Sequence, residues 1–191
     1  MECVAGAILA GGASRRMGRT KALINVDGVP MAQCVARALA HGGCSDIALV
    51  GGSPSELAPL NIPVVADAAP GQGPLGGVIS ALRYFVDASH VLVAACDLPL
   101  LDTETVRNLL HSAHADPQCA ATVAQTDRVE PALVVWNRIF LDDVLALFDG
   151  GERAVYRVLD QIDTQIVHVR AQALTNVNRP LDVPSSGGVG Q

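Results

Sequence analysis

Short, continuously apolar segments recur along the chain and are separated by amphipathic ones. The run at residues 4–10 is followed later by another at 91–96, which is the most apolar of the chain. Continuous apolar runs of this length are typical of strands that are buried on both faces of a parallel sheet. The other predicted strands cover residues 47–50, 62–66, 120–123, 132–136 and 166–169.

The segments between these strands have apolar residues at helical spacing. Gly42 and Gly43 end the first predicted helix, Pro74 occupies the first turn of the second, and Asp102 caps the third. The predicted helices cover residues 30–40, 74–86, 103–114, 140–148 and 152–160. Repeated strand–helix units predict an α/β fold, a three-layer α/β/α sandwich with a doubly wound, mostly parallel sheet.

The composition agrees with this fold class and narrows the range of functions. Of the 191 residues, 50% are hydrophobic but 3% are aromatic, so the core must be aliphatic. We expect one domain over residues 1–183 and a disordered tail at 184–191, where serine and glycine dominate. The formal net charge of −6 argues against nucleic acid as a partner, although a small polyanion could bind where positive charge is local.

Cysteine spacing and hydropathy indicate the compartment. The five cysteines lack CxxC spacing, so neither a disulfide framework nor a zinc site is expected, and Cys96 is interpreted as a small buried residue. The five histidines lack ligand spacing and are expected at the surface. No apolar run is long enough to span a membrane, and no basic leader is present. These features predict a cytoplasmic protein without a membrane partner.

The loop after the first strand carries glycines and local positive charge. Its sequence, LAGGASRRMGRTK at residues 9–21, places Gly11 and Gly12 directly after the strand, where backbone N–H groups can approach an anion closely. The basic residues that follow are Arg15, Arg16, Arg19 and Lys21. This combination suits a polyphosphate, but the spacing is not that of a P-loop, in which lysine directly follows the second glycine. A surface loop with solvated arginines is the alternative.

A second glycine-rich loop admits two interpretations. Residues 71–76 match GxGxxG, follow a predicted strand and open a helix, and Asp97 follows about 20 residues later, as in dinucleotide-binding proteins. Two features count against NAD binding. The motif does not follow the first strand, and Pro74 removes one N–H group that would face a pyrophosphate. A plain strand-to-helix turn is the remaining alternative.

An acidic residue ends the most apolar strand. Asp97 follows residues 91–96, and the carboxyl end of a central parallel strand is where open α/β sheets bind ligands. A carboxylate at this point suits Mg²⁺, which prefers one or two carboxylates together with phosphate oxygens. The alternative is an ordinary capping aspartate.

The thirteen-residue string resembles LAGGxSxRMGxxK, the signature of nucleotidyltransferases that activate sugars and cofactors, and most closely that of molybdenum cofactor guanylyltransferases. This resemblance implies a Rossmann-like fold of the nucleotide-diphospho-sugar transferase type. It also implies a nucleotide-binding loop, in which Lys21 contacts the phosphates, formed by Leu9, Ala10, Gly11 and Gly12.

Further motifs extend the resemblance over residues 4–183. Asp67 with GPLGG at 73–77 resembles the family element that lies against the base and ribose, which implies nucleotide contacts for Asp67 and Gly76. The CDLP turn implies that Asp97 binds both nucleotide and Mg²⁺. EPALV at 130–134 with Asn137-Arg138, and GER at 151–153, resemble further family segments.

The segment LTNVNRP at 174–180 resembles the N-x-N-x-P segment of the family, and this resemblance implies that Asn176 and Asn178 bind the pterin. Alternate residues of an extended strand can face the same side, and amides offer both donors and acceptors. An asparagine-rich turn before Pro180 is the alternative. One departure is plain: the family often has asparagine after the second strand, where this chain has Gly51-Gly52.

The resemblance implies transfer of GMP from GTP to molybdenum-molybdopterin with release of pyrophosphate, and transient contact with other molybdenum cofactor proteins. Catalysis would use positioning and charge, with Lys21, Asp97, Arg15 and Arg19 as the catalytic residues and Mg²⁺ as the cofactor. The alternatives are a cytidylyltransferase, a sugar-phosphate nucleotidyltransferase, or a carrier that binds molybdopterin without catalysis.

Overall fold

A computed structural model describes residues 3–11 and 20–176. Within these residues, nine strands are present: β1 Val4–Leu9, β2 Asn25–Val26, β3 Val29–Pro30, β4 Asp46–Val50, β5 Val64–Val65, β6 His90–Ala95, β7 Ala121–Gln125, β8 Val129–Asn137 and β9 Thr164–His168. The α-helices of the same residues are α1 Met31–Gly42, α2 Pro54–Leu57, α3 Pro74–Tyr84, α4 Thr103–Ala115, α5 Leu141–Asp149 and α6 Val155–Leu159. The α/β prediction is confirmed.

Seven of the described strands form one sheet in the order β5-β4-β1-β6-β8-β7-β9, and β2 pairs with β3 in a separate hairpin. β1 is parallel to β4 and β6, and β5 is parallel to β4. β8 runs antiparallel to both β6 and β7, and β9 is parallel to β7. We refer to β5, β4, β1 and β6 as the parallel half and to β8, β7 and β9 as the mixed half.

Helices cover both faces of the sheet and create two aliphatic cores. On one face, α1 and α4 pack against residues such as Ile8, Leu92 and Leu133. On the other face, α3, α5 and α6 enclose Val93 and Trp136. A strand of the parallel half is therefore buried on both sides, which explains its uninterrupted apolar sequence.

Local capping signals act as the sequence predicts. α1 ends at Gly42, and Gly43 at φ +124° donates its N–H to the carbonyls of Leu39 and Ala40. Asp102 accepts a hydrogen bond from the Thr105 N–H at 2.8 Å and caps α4. Each cap satisfies backbone groups that a helix end leaves unpaired, so these boundaries are determined locally.

Several features differ from expectation, and α2 at Pro54–Leu57 was not predicted. The helix predicted from residue 152 begins at Val155, and Glu152 Oε1 accepts the N–H groups of Arg153 and Ala154 in the turn that precedes it. The β2–β3 hairpin is too short to show alternation in the sequence. His90 was expected at the surface but is buried, with 4% exposure, because β6 lies between β1 and β8. No helix among the described residues has the length and hydropathy required to cross a bilayer.

Candidate active site

Four loops of the parallel half meet at the carboxyl edge of the sheet. Gly11 follows β1 and donates its N–H to the Val50 carbonyl at 3.2 Å, which ties it to the end of β4. The Gly51 N–H in turn donates to the Val65 carbonyl of β5 at 2.9 Å. Parallel strands deliver their carboxyl ends to one edge, so this edge also carries Asp67 after β5 and Asp97 after β6.

Lys21 and Asp97 form an ion pair at this edge, although 76 positions separate them in the chain. Lys21 Nζ donates to Asp97 Oδ2 at 3.2 Å, and the side chains are 30% and 14% exposed. Lys21 begins a short 3₁₀ turn whose next residue, Ala22, is completely buried. The pair is accessible to a ligand from one side while its backbone is anchored in the core.

Asp97 has the chemistry expected of a magnesium ligand. Among the described residues, its Oδ1 atom accepts no hydrogen bond, while Oδ2 is paired with Lys21. No group of three or more His, Cys, Asp or Glu side chains in the described part of the chain could hold a metal ion by itself. A single carboxylate fits a cation that takes its other ligands from phosphates and water.

The second glycine-rich loop follows β5 at the same edge and contacts the turn at Asp67. Asp67 Oδ1 accepts the Ala69 N–H at 2.9 Å, which closes a tight turn after β5. This turn packs against Gly76 in the first turn of α3. A Cβ atom on Gly76 would lie 3.0 Å from Ala69 Cβ and 3.4 Å from Asp67 Oδ1. Glycine at this position therefore allows the turn and the helix to approach each other closely.

The GER segment at 151–153 packs against the second glycine-rich loop at Gly73. Gly73 has a φ of +84°, and a Cβ atom there would lie 2.8 Å from the Arg153 carbonyl oxygen. The Arg153 guanidinium lies 4.0 Å from the centre of the Phe148 ring and donates to the Phe148 carbonyl. Arg153 thus packs against its own segment, and its backbone forms one wall of the Gly73 turn.

Two glycines replace the asparagine expected after β4, and both have positive φ. Gly51 has a φ of +77°, and a Cβ atom there would lie 3.0 Å from Gly11 Cα. Gly52 has a φ of +80°, and its Cβ atom would lie 2.8 Å from Leu57 Cδ1. The loops after β1 and β4 therefore contact each other through backbone atoms, an arrangement that side chains would prevent.

Cys96 precedes Asp97 but is not available as a nucleophile. Its side chain is buried, and this burial raises the pKa of the thiol to about 12. The thiol therefore remains protonated at neutral pH. The expectation that Cys96 is a small buried residue is confirmed.

Both the sequence and the fold of this chain match known proteins. Residues 6–166 match the MobA-like NTP transferase domain. The chain belongs to this family of nucleotidyltransferases. It is 31% identical over 190 residues to a protein of Carboxydothermus hydrogenoformans named probable molybdenum cofactor guanylyltransferase, covering 95% of this chain and 94% of that one.

Two solved structures share the fold of this family member. Molybdopterin-guanine dinucleotide biosynthesis protein A of Archaeoglobus fulgidus superposes with a TM-score of 0.74 at 22% identity, covering 93% of this chain and 94% of that one. Rv0371C of Mycobacterium tuberculosis H37Rv, in complex with manganese, superposes with a TM-score of 0.72 at 16% identity, covering 95% and 96%. At these identities the likeness concerns the fold.

The strand order of this MobA-like chain also argues against the dinucleotide-binding alternative. In that alternative, the GxGxxG loop and its ribose acid follow neighbouring strands of one βαβ unit. Here the GxGxxG loop follows the edge strand β5, and Asp97 follows β6, with β4 and β1 between them. The loop and the acid therefore lack the spacing that NAD requires.

The remaining predicted site residues divide into two groups. Gly12, Arg15, Arg19 and Asn178 lie outside the described residues, as does the tail at 184–191. Leu9 and Ala10 are half-buried at the end of β1, and Leu9 packs against α3, where a Cβ on Gly77 would lie 2.9 Å from its Cδ2. Asn176 is exposed after the 3₁₀ turn Ala171–Leu174.

The contacts of three polar residues are visible only in the structure. Ser80 is a buried hydroxyl that contacts the Asp67 turn, and Arg170 forms ion pairs with Asp102 and Glu104. Asn137, from the asparagine–arginine part of a family motif, lies at the opposite edge, where its amide donates to the Pro117 and Cys119 carbonyls. The four-residue spacing of Gly76 and Ser80 on one helix face was the available signal for Ser80.

Proposed function

We propose that this chain transfers GMP from GTP to the molybdenum-bearing molybdopterin, forming molybdopterin guanine dinucleotide and pyrophosphate. The names of its relatives support this substrate pair. The observation that carries the proposal is the Lys21–Asp97 pair at 3.2 Å, on the carboxyl edge of the sheet that both glycine-rich loops follow. It combines a cation for phosphates with a carboxylate for a divalent metal.

In this reaction, an oxygen of the molybdopterin phosphate attacks the α-phosphorus of GTP. A new P–O bond forms, the bond from the α-phosphorus to the bridging oxygen breaks, and pyrophosphate leaves with the bonding electrons. Because the attacking phosphate already bears negative charge, no serine, cysteine or histidine nucleophile is needed. The protein's contribution is to hold both substrates in line and to stabilise the charge of the transition state.

Lys21 holds the phosphates of GTP and compensates the charge that develops on the leaving pyrophosphate. Arg15 and Arg19, from the same basic loop, share this task in our proposal. Asp67 and Gly76 contact the nucleoside, and the backbones of Gly11 and Gly12 approach the phosphates. On the second-substrate side, Asn176 and Asn178 bind the pterin edge through amide donors and acceptors.

A divalent cation is held by Asp97 in this proposal, and we assign it as Mg²⁺. The manganese complex of the structurally similar Rv0371C supports a divalent metal in proteins of this fold. When bound, the cation would screen the negative charge of the phosphates and stabilise the leaving group. The carboxylate also keeps Lys21 oriented toward the phosphates.

The test is pyrophosphate release by the purified protein with GTP, Mg²⁺ and molybdenum-molybdopterin. The proposal expects release only when all three are present. Asp97→Asn should abolish most of it, whereas Asp87→Asn, an exposed aspartate between α3 and β6 at the opposite edge, should not. Pterin binding without pyrophosphate release would instead identify a carrier.

The choice of GTP over CTP is tested separately. Gly11-Gly12 and the GPLGG form of the second loop are of the guanylyl type. Gly51-Gly52, in place of the asparagine of the family, argues against guanine selectivity. Competition kinetics with both nucleotides should show a preference for GTP that Gly12→Ala erodes more than it erodes CTP use. A thermal-shift screen should show stabilisation by GTP with Mg²⁺, and stabilisation by CTP, a UDP-sugar or NAD alone would contradict the assignment.

A further inference from the structure

Ser80 is an unusual residue for its position in α3. The structure describes this helix in full, and its other buried residues are glycine or aliphatic: Leu75, Gly76, Gly77, Val78, Ile79, Ala81 and Leu82. Ser80 is 4% exposed, and a buried hydroxyl is stable only when hydrogen bonds replace its lost hydration. Its partners therefore indicate why a polar group lies there.

All partners of the Ser80 hydroxyl lie at the Asp67 turn or beneath it. Oγ accepts the Ala68 N–H at 2.9 Å and donates to the Gly76 carbonyl at 2.8 Å. Asp67 Oδ1 lies 3.5 Å from the same hydroxyl. Since a hydroxyl has one hydrogen, the shorter contact to Gly76 takes it, and the Ala68 N–H holds the peptide that follows Asp67.

We propose that Ser80 is a positioning residue that sets the orientation of the Asp67 carboxylate for the nucleotide. Two hydrogen bonds hold the peptide groups that follow Asp67: the Ala69 N–H donates to Asp67 Oδ1, and the Ala68 N–H donates to Ser80 Oγ of α3. The first closes the turn on itself, and the second attaches it to the helix. Without the second, the turn retains its shape but loses its fixed orientation over Gly76.

The consequence for ligand binding rests on the proposed function, in which Asp67 contacts the nucleoside. Ser80→Ala leaves the Ala68 N–H without its acceptor, so part of the nucleotide's binding energy must be used to order the turn. We expect the Kd for GTP to rise about tenfold, the effect of about one neutral hydrogen bond. Ser80→Cys, with a weak acceptor of similar size, should give an intermediate change.

A double-mutant cycle distinguishes positioning from simple destabilisation. If Ser80 acts through Asp67, then Ser80→Ala should change the Kd by less than about twofold in a chain that already carries Asp67→Ala. Equal fold-changes in the two backgrounds, or an unchanged Kd in Ser80→Ala, would overturn the proposal. Thr122→Val is the matched control, because Thr122 is 2% exposed and donates to Gln165 at 3.4 Å in the mixed half.

Hydrogen exchange of the backbone amides in the Asp67 turn tests the same proposal without any nucleotide. Amides of residues 66–69 should exchange faster in Ser80→Ala than in the wild type, and Thr122→Val should leave them unchanged. Unchanged exchange at 66–69 in Ser80→Ala would overturn the positioning role. If the wild type fails to bind GTP while exchange at this turn responds to Ser80, the proposed function is wrong and the attachment of the turn by Ser80 stands.

Discussion

The two halves of the sheet hold their polar side chains in different ways at the carboxyl edge. In the parallel half, Asp67 accepts the Ala69 N–H, Ser80 is buried, and Asp97 is 14% exposed beside Lys21. In the mixed half, the arginines are solvated: the side chains of Arg128 and Arg170 are 84% and 67% exposed. The same edge therefore carries side chains that are held in place in the parallel half and exposed arginines in the mixed half.

The direction of β8 explains this difference. All four strands of the parallel half end at the same edge, so their loops pack against one another and exchange backbone hydrogen bonds. β8 runs the opposite way and begins at that edge, where Glu130 pairs with Arg128 of the β7–β8 turn. The side chains of the parallel half are held in place, so they can stabilise the charge of a transition state with little reorganisation. We therefore expect the chemistry to rely on this half.

The strongest contrast is expected between Lys21→Ala and Arg128→Ala, which each remove the basic partner of one ion pair. Lys21→Ala should lower kcat/KM by an amount equivalent to on the order of 2–4 kcal/mol, as for a lost transition-state donor. Arg128→Ala should change it by less than about 0.5 kcal/mol. Steady-state pyrophosphate release measures both, and similar losses would remove the distinction between the halves.

The next contrast lies within the second loop and concerns stability. Gly71 and Gly73 both have positive φ, but a Cβ on Gly71 would meet nothing within 4 Å, whereas one on Gly73 would lie 2.8 Å from the Arg153 carbonyl oxygen. Gly73→Ala should therefore lower the free energy of unfolding by about 1–3 kcal/mol more than Gly71→Ala. Urea unfolding measures the difference, and equal effects would show that the Arg153 contact yields without cost.

A smaller effect is expected at Asp102, which joins the halves at the start of α4. Burial raises the pKa of Asp102, but the hydrogen bonds from Thr105 and the charge of Arg170 outweigh it, and the pKa is lowered. A lowered folded pKa means that the carboxylate stabilises the fold above its unfolded pKa and loses this effect as pH falls through the folded pKa. Asp102→Ala should cost about 1 kcal/mol at neutral pH.

Unfolding of Asp102→Ala and wild type across the acidic range tests this prediction. The difference in unfolding free energy should shrink as pH falls. Asp116→Ala, at the other end of α4, provides the control and should not reproduce the neutral-pH loss. A difference that grows on acidification would mean that the folded pKa of Asp102 is raised rather than lowered.

The smallest effect is expected for Arg170→Ala. Arg170 donates to Asp102 at 3.2 Å and to Glu104 at 2.8 Å, but all three side chains are more than a third exposed. Exposed pairs contribute about 0.2–1 kcal/mol, and salt screens them, so the loss should fall further at about 1 M salt. A loss of several kcal/mol that salt leaves unchanged would show that the mixed half is as rigid as the parallel half.

Much of the candidate site could be predicted because its signals are local. Asp97 follows a buried strand and was expected at the carboxyl edge, whereas Asp67 was predicted through the resemblance of its GPLGG element to the family motif. Ser80 was missed because its spacing from Gly76 indicates a shared helix face but not the contact of its hydroxyl with the Ala68 N–H. His90 was misplaced because its burial depends on the strands beside β6.

The sequence by itself determined most of the strands and helices, since apolar runs, Gly43 and Asp102 act on neighbouring residues. It also determined the family, through motifs carried in short strings. Only the tertiary structure decided the strand order, the reversal of β8 and the meeting of Lys21 with Asp97. The physical reason is that hydropathy reports whether a residue is buried, whereas strand pairing depends on contacts between segments distant in the chain.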